Sequence, residues 1–290
     1  MHTAESCFTI PPILFTGGRA LNHKLFAIGL VVSTGTMLAQ QPTMHTESAL
    51  TLGKGKVQAG LAVEYLRKNS PTLPDFPQSL WRVLVLGWHH GVAENVNFDL
   101  DWLGGLTASF PNGSRGFDWG DLMVSTKITF IRENESVPAI GVRTMVKLPN
   151  SSYAETRLGS NKTDFHSYLL LSKHFDDIET RLNLGFSIVG DPLNVNVQDD
   201  VYGFNAALIT PIAAGAVFFI ELVGFSGYTD HNSKLLSRYG MMLDFDVYEC
   251  SIYSSFRAAG DDGDFGNAFE ASENWSIGFS VTRTFGLSLE

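Results

Sequence analysis

The sequence predicts an all-β fold, an antiparallel, up-and-down transmembrane β-barrel of about twelve strands. Beyond residue 55 the 290-residue chain repeats segments of about ten residues in which polar and apolar side chains alternate. The breaks between these segments are alternately long and short. No segment keeps a helical period over three turns, and in lipid only a helix or a closed barrel satisfies its own backbone hydrogen bonds.

The strands fall near residues 56–67, 79–90, 95–105, 119–131, 138–148, 163–175, 178–189, 201–210, 215–227, 236–245, 248–257 and 274–285. In "NVNFDLDWL" the residues Asn95, Asn97, Asp99 and Asp101 fall on one side of an extended chain, and Val96, Phe98, Leu100 and Trp102 on the other. "RLNLGFSI" sets Arg181, Asn183, Gly185 and Ser187 against Leu182, Leu184, Phe186 and Ile188. "SIGFSVT" sets Ser276, Gly278, Ser280 and Thr282 against Ile277, Phe279 and Val281. The connections "GVAEN", "RENESV", "DD", "TPIAAG" and "DV" are short, whereas "KNSPTLPDFPQS", "LTASFPNGSRGFDW", "PNSSYAETRLGSNK", "GDPLNVNVQDD", "GYTDHNSKL" and "AAGDDGDFGNAFEASEN" are long. All long loops therefore emerge at one end, as in outer-membrane barrels with tight periplasmic turns.

The apolar face then meets lipid and the polar face a wet lumen. Aromatic residues near strand ends form two expected girdles, Trp102, Trp119 and Trp275 on the long-loop side and Phe130, Phe175, Phe245, Tyr248 and Phe285 on the short-turn side. "SVTRTF" resembles the terminal aromatic strand by which barrel-assembly machinery recognises its clients, although Arg283 takes an apolar position. A soluble barrel would have to bury the apolar face inside, and twelve strands enclose more volume than these side chains fill.

Four stretches divide the chain. Residues 1–39 read as an upstream extension plus a cleaved export signal, with Arg19, His23 and Lys24 before the apolar run "LFAIGLVV" and small residues after it. Initiation at Leu21 would give a signal of ordinary length. Residues 40–55 read as a periplasmic segment, 56–285 as the barrel and 286–290 as a tail. With 30 Asp and Glu against 20 Lys and Arg, the net charge of -10 excludes nucleic acid as a partner. Of two cysteines, Cys7 falls in the leader and Cys250 in a strand, so neither a disulfide framework nor a zinc site is expected.

"YGFNAALITPI", "ELVGFSG", "FDWGDLMVSTKITF", "AIGVRTMVKLPN", "FHSYLLLSKHF" and "TRLNLGFSIVGD" together resemble the outer-membrane proteins grouped under the meta-pathway of phenol degradation, over residues 46 to 285. That resemblance implies an outer-membrane channel or transporter in a Gram-negative cell, associated by name with aromatic compounds. It implies no cofactor and no catalytic residues.

The pore-lining candidates are Glu64, Asn97, Asp99, Asp101, Lys127, Arg143, Lys147, Arg181, Asn183, Glu221, Glu249 and Arg257, with Asp121 on the same face. Two readings stand side by side: a polar constriction whose field selects a small solute, or a network of ion pairs that stiffens a closed lumen. In the second case the acidic extracellular loops do the work, in a structural or adhesive barrel. Asp262 and Asp264 hint at a calcium loop, but Gly266 occupies the next ligand position, so a solvated loop facing lipopolysaccharide is expected and no metal site. An outer-membrane phospholipase of twelve strands pairs its serine with a histidine two residues earlier. His231 and Ser233 repeat that spacing, but in a long loop, and an enzyme is not expected. His89 beside His90, and His166 beside Ser167, diverge on a strand and chelate nothing together.

Overall fold

The computed structural model describes residues 44–68, 77–152, 156, 158–190, 198–227, 233–260 and 273–286. Its strands are β1 (Lys56–Arg67), β2 (Ser79–Ala93), β3 (Val96–Trp102), β4 (Gly105–Ser109), β5 (Arg115–Trp119), β6 (Leu122–Ile131), β7 (Ala139–Leu148), β8 (Asp164–Phe175), β9 (Ile178–Gly190), β10 (Gln198–Ala213), β11 (Ala216–Ser226), β12 (Ser233–Phe245), β13 (Tyr248–Gly260) and β14 (Trp275–Gly286). Every pairing is antiparallel. The sheet closes because β1 pairs with β14 on one side, Val63 opposite Phe279, and with β2 on the other, Leu61 opposite Leu86.

Twelve strands form the closed ring, and β4 and β5 extend from it as a hairpin along β2. This corrects the sequence reading, which took residues 106–119 for a loop. β3 and β4 are one chain bent at Leu103 and Gly104, and β5 and β6 one chain bent at Gly120 and Asp121. The ladder continues through the bend, since Leu103 donates its N–H to Asp121 at 3.0 Å and Gly120 its N–H to Gly104 at 2.6 Å. Gly104 has φ +68, and a Cβ there would run into the carbonyl oxygen of Val83. Across the ladder, Leu84 takes φ 56 where β2 changes partner from β4 to β3. Glycine is what lets the chain bend without losing its hydrogen bonds.

Alternation sorts the side chains as the sequence predicts. Phe98, Leu182, Leu184, Phe204, Leu208 and Leu222 are exposed on the outer wall, whereas Asn97, Asp99, Lys127, Glu221 and Arg238 are buried on the inner one. In water that arrangement would be inside out; in lipid it is the low-energy one. Phe130, Phe175, Phe245 and Tyr248 are exposed at the short-turn rim and Trp119 and Trp275 at the other. Arg283, outward near the short-turn rim, lies 5.4 Å from the centre of the Tyr248 ring, so its charge rests on an interfacial aromatic. Asp176 and Asp246 adopt positive φ in two of the two-residue turns, a conformation that Asp tolerates better than most residues.

Candidate functional site

Residues 44–52 lie inside the barrel, and residues 53–55 turn at its rim into β1. They were expected outside it, as a periplasmic segment, and nothing in their own composition forecasts the difference. From β1 at the short-turn rim the segment passes along the inner wall from β2 and β3 across β6 to β11 and ends against β12 and β13, and the wall side chains supply most of its hydrogen bonds. Thr46 donates its N–H to Glu221 Oε2 at 2.8 Å and His45 its N–H to Glu221 Oε1 at 3.2 Å. Ala49 donates to Ser172 Oγ at 2.8 Å and Leu52 to Asn97 Oδ1 at 3.1 Å. The carbonyls of His45, Thr46, Ser48 and Ala49 accept from Asn205, Arg181, Lys127 and Thr129. With its amide oriented by this network, Asn183 donates to the Glu47 carbonyl at 3.0 Å and accepts the Glu47 N–H at 2.8 Å. Leaving such a buried group without a partner costs about 1–3 kcal/mol, so the polar wall is what allows a peptide to lie there.

Side chains of the segment complete the wall. Glu47 pairs with Arg143 in close contact and stands 3.8 Å from Lys127 Nζ. Met44 packs on Ala207, Ile209, Phe219, Met242 and Tyr253, and Ala49 on Ala139 and Leu170. Three groups of charge follow from this. In the middle, Arg143 also reaches Asp101 at 3.3 Å, and His89 stands between Asp101 at 3.1 Å and Asp99 at 3.4 Å. On the β11 to β13 side, Arg238 Nε stands 3.6 Å from Glu221 and its guanidinium lies 4.4 Å from the Tyr253 ring centre, while Tyr253 Oη donates to Glu64, which also pairs with Arg82 at 2.9 Å. Towards the long loops, Lys147 pairs with Asp164 and stands 3.7 Å from Asp121.

Asp121 also accepts the backbone N–H of Asn150 at 2.9 Å, and Asp118 that of Ser152 at 2.6 Å. These two carboxylates tie the connection after β7 to the β4–β5 hairpin, where Leu158 packs with Leu66, Leu80, Leu106 and Ala108. Between this cover and the N-terminal segment lies a cavity of about 180 Å³, bordered by Glu47, Arg143, Lys147, Met123, Met145 and Tyr168 among others.

Eleven of the twelve predicted lining residues face the lumen: Glu64, Asn97, Asp99, Asp101, Lys127, Arg143, Lys147, Arg181, Asn183, Glu221 and Glu249. Six of these, Asn97, Lys127, Arg143, Arg181, Asn183 and Glu221, hold the N-terminal segment. Glu249 is half-buried near the short-turn end, 3.5 Å from Thr282 Oγ1. Arg257 still pairs with the inward Leu236, but it is exposed at the long-loop end, where the strand runs past the enclosed lumen. The sequence reading omits Arg238, Glu47, Arg82, Asp164, Glu179 and Tyr253. Arg238 stands in "LLSRYGMML", apolar on both faces, so alternation gives its strand no inside.

His89 is buried on the inner face and His90 turns to the outer one, as expected of neighbours on a strand. His166 faces inward and pairs with Ser187 Oγ at 2.8 Å. Ser233 Oγ lies 3.0 Å from Ser226 Oγ, and His231 is outside the described residues, as are Asp262, Asp264, Gly266, Cys7 and the leader. Among the described residues no group of His, Cys, Asp and Glu is placed to hold a metal ion.

A family model described as "Putative MetA-pathway of phenol degradation" matches residues 43–238. None of the curated proteins matches the chain in sequence. Among solved structures, the barrel is similar to an outer membrane channel from Pseudomonas putida F1, with TM-score 0.63 and 14% identity over 85% of this chain and 100% of that one. It also matches the NanC porin, with TM-score 0.49 and 11% identity over 79% of this chain and 98% of that one. At such identities the first likeness speaks for the fold.

Proposed function

This chain belongs to the family of the meta-pathway of phenol degradation, and on that premise we propose that it is an outer-membrane channel for passive passage of a small solute. The observation that carries the reading is the lumen. Its wall is polar and charged, and the peptide that narrows it is held by hydrogen bonds and ion pairs that can be exchanged, with a cavity of about 180 Å³ beside it. A channel that binds weakly and at several points lets its solute leave again. The exposed outer wall and its two aromatic rims suit a bilayer, and the acidic long loops would then meet lipopolysaccharide. The family's name supports an aromatic solute.

Single-channel conductance of the refolded chain in a planar bilayer, repeated with benzoate-like anions and neutral sugars, tests this. Steady conductance that an aromatic solute blocks is the expected result. Silence from a barrel that keeps its heat-modifiable migration on a gel would overturn it in favour of a closed barrel acting through its loops. Ester hydrolysis that is lost in Ser233→Ala would instead make the chain an enzyme.

A further inference from the structure

We propose that Glu47 is a tethered stand-in for the carboxylate of a small organic acid, and that such an acid takes its place on Arg143 and Lys127. The transport role of this site rests on the channel reading above; the binding itself does not. Glu47 brings a carboxylate to the wall on a peptide that enters from the rim, and one of its oxygens, Oε1, pairs with Arg143. The other, Oε2, is buried without a hydrogen bond, and Lys127 Nζ stands 3.8 Å from it. The wall thus offers more to a carboxylate than Glu47 takes up.

Arg143 is itself aimed. Its Nε and Nη2 donate to Ser125 Oγ at 3.0 and 2.8 Å and Nη2 also to Asp101 at 3.3 Å, which leaves the Nη1 edge towards the lumen and Glu47. An arginine fixed on one edge presents the other to a planar anion at little entropic cost. Along β7 the inward residue after Arg143 is Met145, opposite Ser125 on β6 and His166 on β8; Met123 and Tyr168 lie diagonal to it, and Met145, Met123, Tyr168 and His166 border the cavity. The Tyr168 ring lies flat over Gly185 and Gly203, where any Cβ would collide with it. One cationic anchor beside the Met123, Met145 and Tyr168 side chains, in a cavity of about 180 Å³, suits an acid with a single ring or a short alkyl chain rather than a sugar.

The full chain, folded in detergent, is titrated calorimetrically with benzoate, hexanoate and the neutral benzyl alcohol. Both carboxylates are expected to bind at least about tenfold tighter than the alcohol, the equivalent of about 1.4 kcal/mol. Glu47→Gln, which removes the competing carboxylate, is expected to tighten both acids by a similar factor, and Arg143→Gln to abolish their binding. Unchanged or weaker affinity in Glu47→Gln overturns the proposal, as does equal binding of benzyl alcohol. If Arg143→Gln gives no heat-modifiable barrel, Glu47→Gln decides alone. Bilayer currents from the same proteins keep the two readings apart: competition without current overturns the channel and supports the site, and current without competition overturns the site alone.

Discussion

Glu221 accepts the backbone N–H of Thr46 at 2.8 Å, a contact across 175 positions of sequence, and the same carboxylate takes the N–H of His45 and faces Arg238. One acid in the wall thereby fixes two peptide bonds of the segment that fills the lumen.

Hydrogen bonds to a charged group are worth about 1.5–3 kcal/mol each, so Glu221→Ala should free this end of the segment and leave Arg238 short of its counter-charge. Limited proteolysis reads the effect as cleavage within residues 44–52 at least about tenfold faster than in the parent chain, with Glu221→Gln in between. Equal protection in all three would mean that Glu221 does not hold the segment.

Docking of the segment should weaken with acid. Burial, then the neighbouring Arg238 and Arg82, hold His45 well below the ordinary histidine pKa of 6.5. Because the docked state depresses this pKa, docking is at full strength above about pH 6.5 and is lost as pH falls further, when released segments bind a proton that docked ones refuse. A spin label at Ser48 should gain mobility below about pH 6.5, and His45→Gln should remove that dependence. A pH-independent spectrum in the parent would sink the prediction.

Gly104 and Gly113 both have positive φ, but an added Cβ meets backbone oxygens at Gly104 and nothing within 4 Å at Gly113. Alanine at Gly113 should cost about 1 kcal/mol, the strain of the conformation alone, and alanine at Gly104 at least about 3 kcal/mol. Urea midpoints of the folded barrel compare the two. Equal costs would show that β2 yields at Leu84 and that the bend does not need glycine.

Leu184 is 47% exposed at the middle of β9, beside the inward Asn183. Arginine at a lipid-facing midplane position costs about 2–4 kcal/mol, so Leu184→Arg should lower the refolded fraction in lipid vesicles. In detergent micelles the loss should shrink. A variant that refolds in vesicles as well as the parent would place this face away from lipid.

Much of the site was legible because a strand has only two faces. Once Asn97, Asp99 and Asp101 share a face that Phe98 and Leu100 do not, the inward residues follow, and eleven of the twelve candidates line the lumen where alternation puts them. Arg257 keeps its register opposite Leu236 but stands at the open end of the barrel, where nothing encloses it, and Arg238 was missed because both faces of its strand are apolar. Glu47 could not be found this way, since its position depends on no periodicity of its own.

The sequence by itself determined the barrel, because the strand period and the alternation of long and short connections are local properties that lipid and water read directly. Tertiary structure alone decided what the lumen contains. A short peptide such as residues 44–52 has no preference for inside or outside until a wall offers partners for its amides and carbonyls, and those partners come from β3 and from β6 to β11, brought within hydrogen-bond reach of it only by closure of the ring.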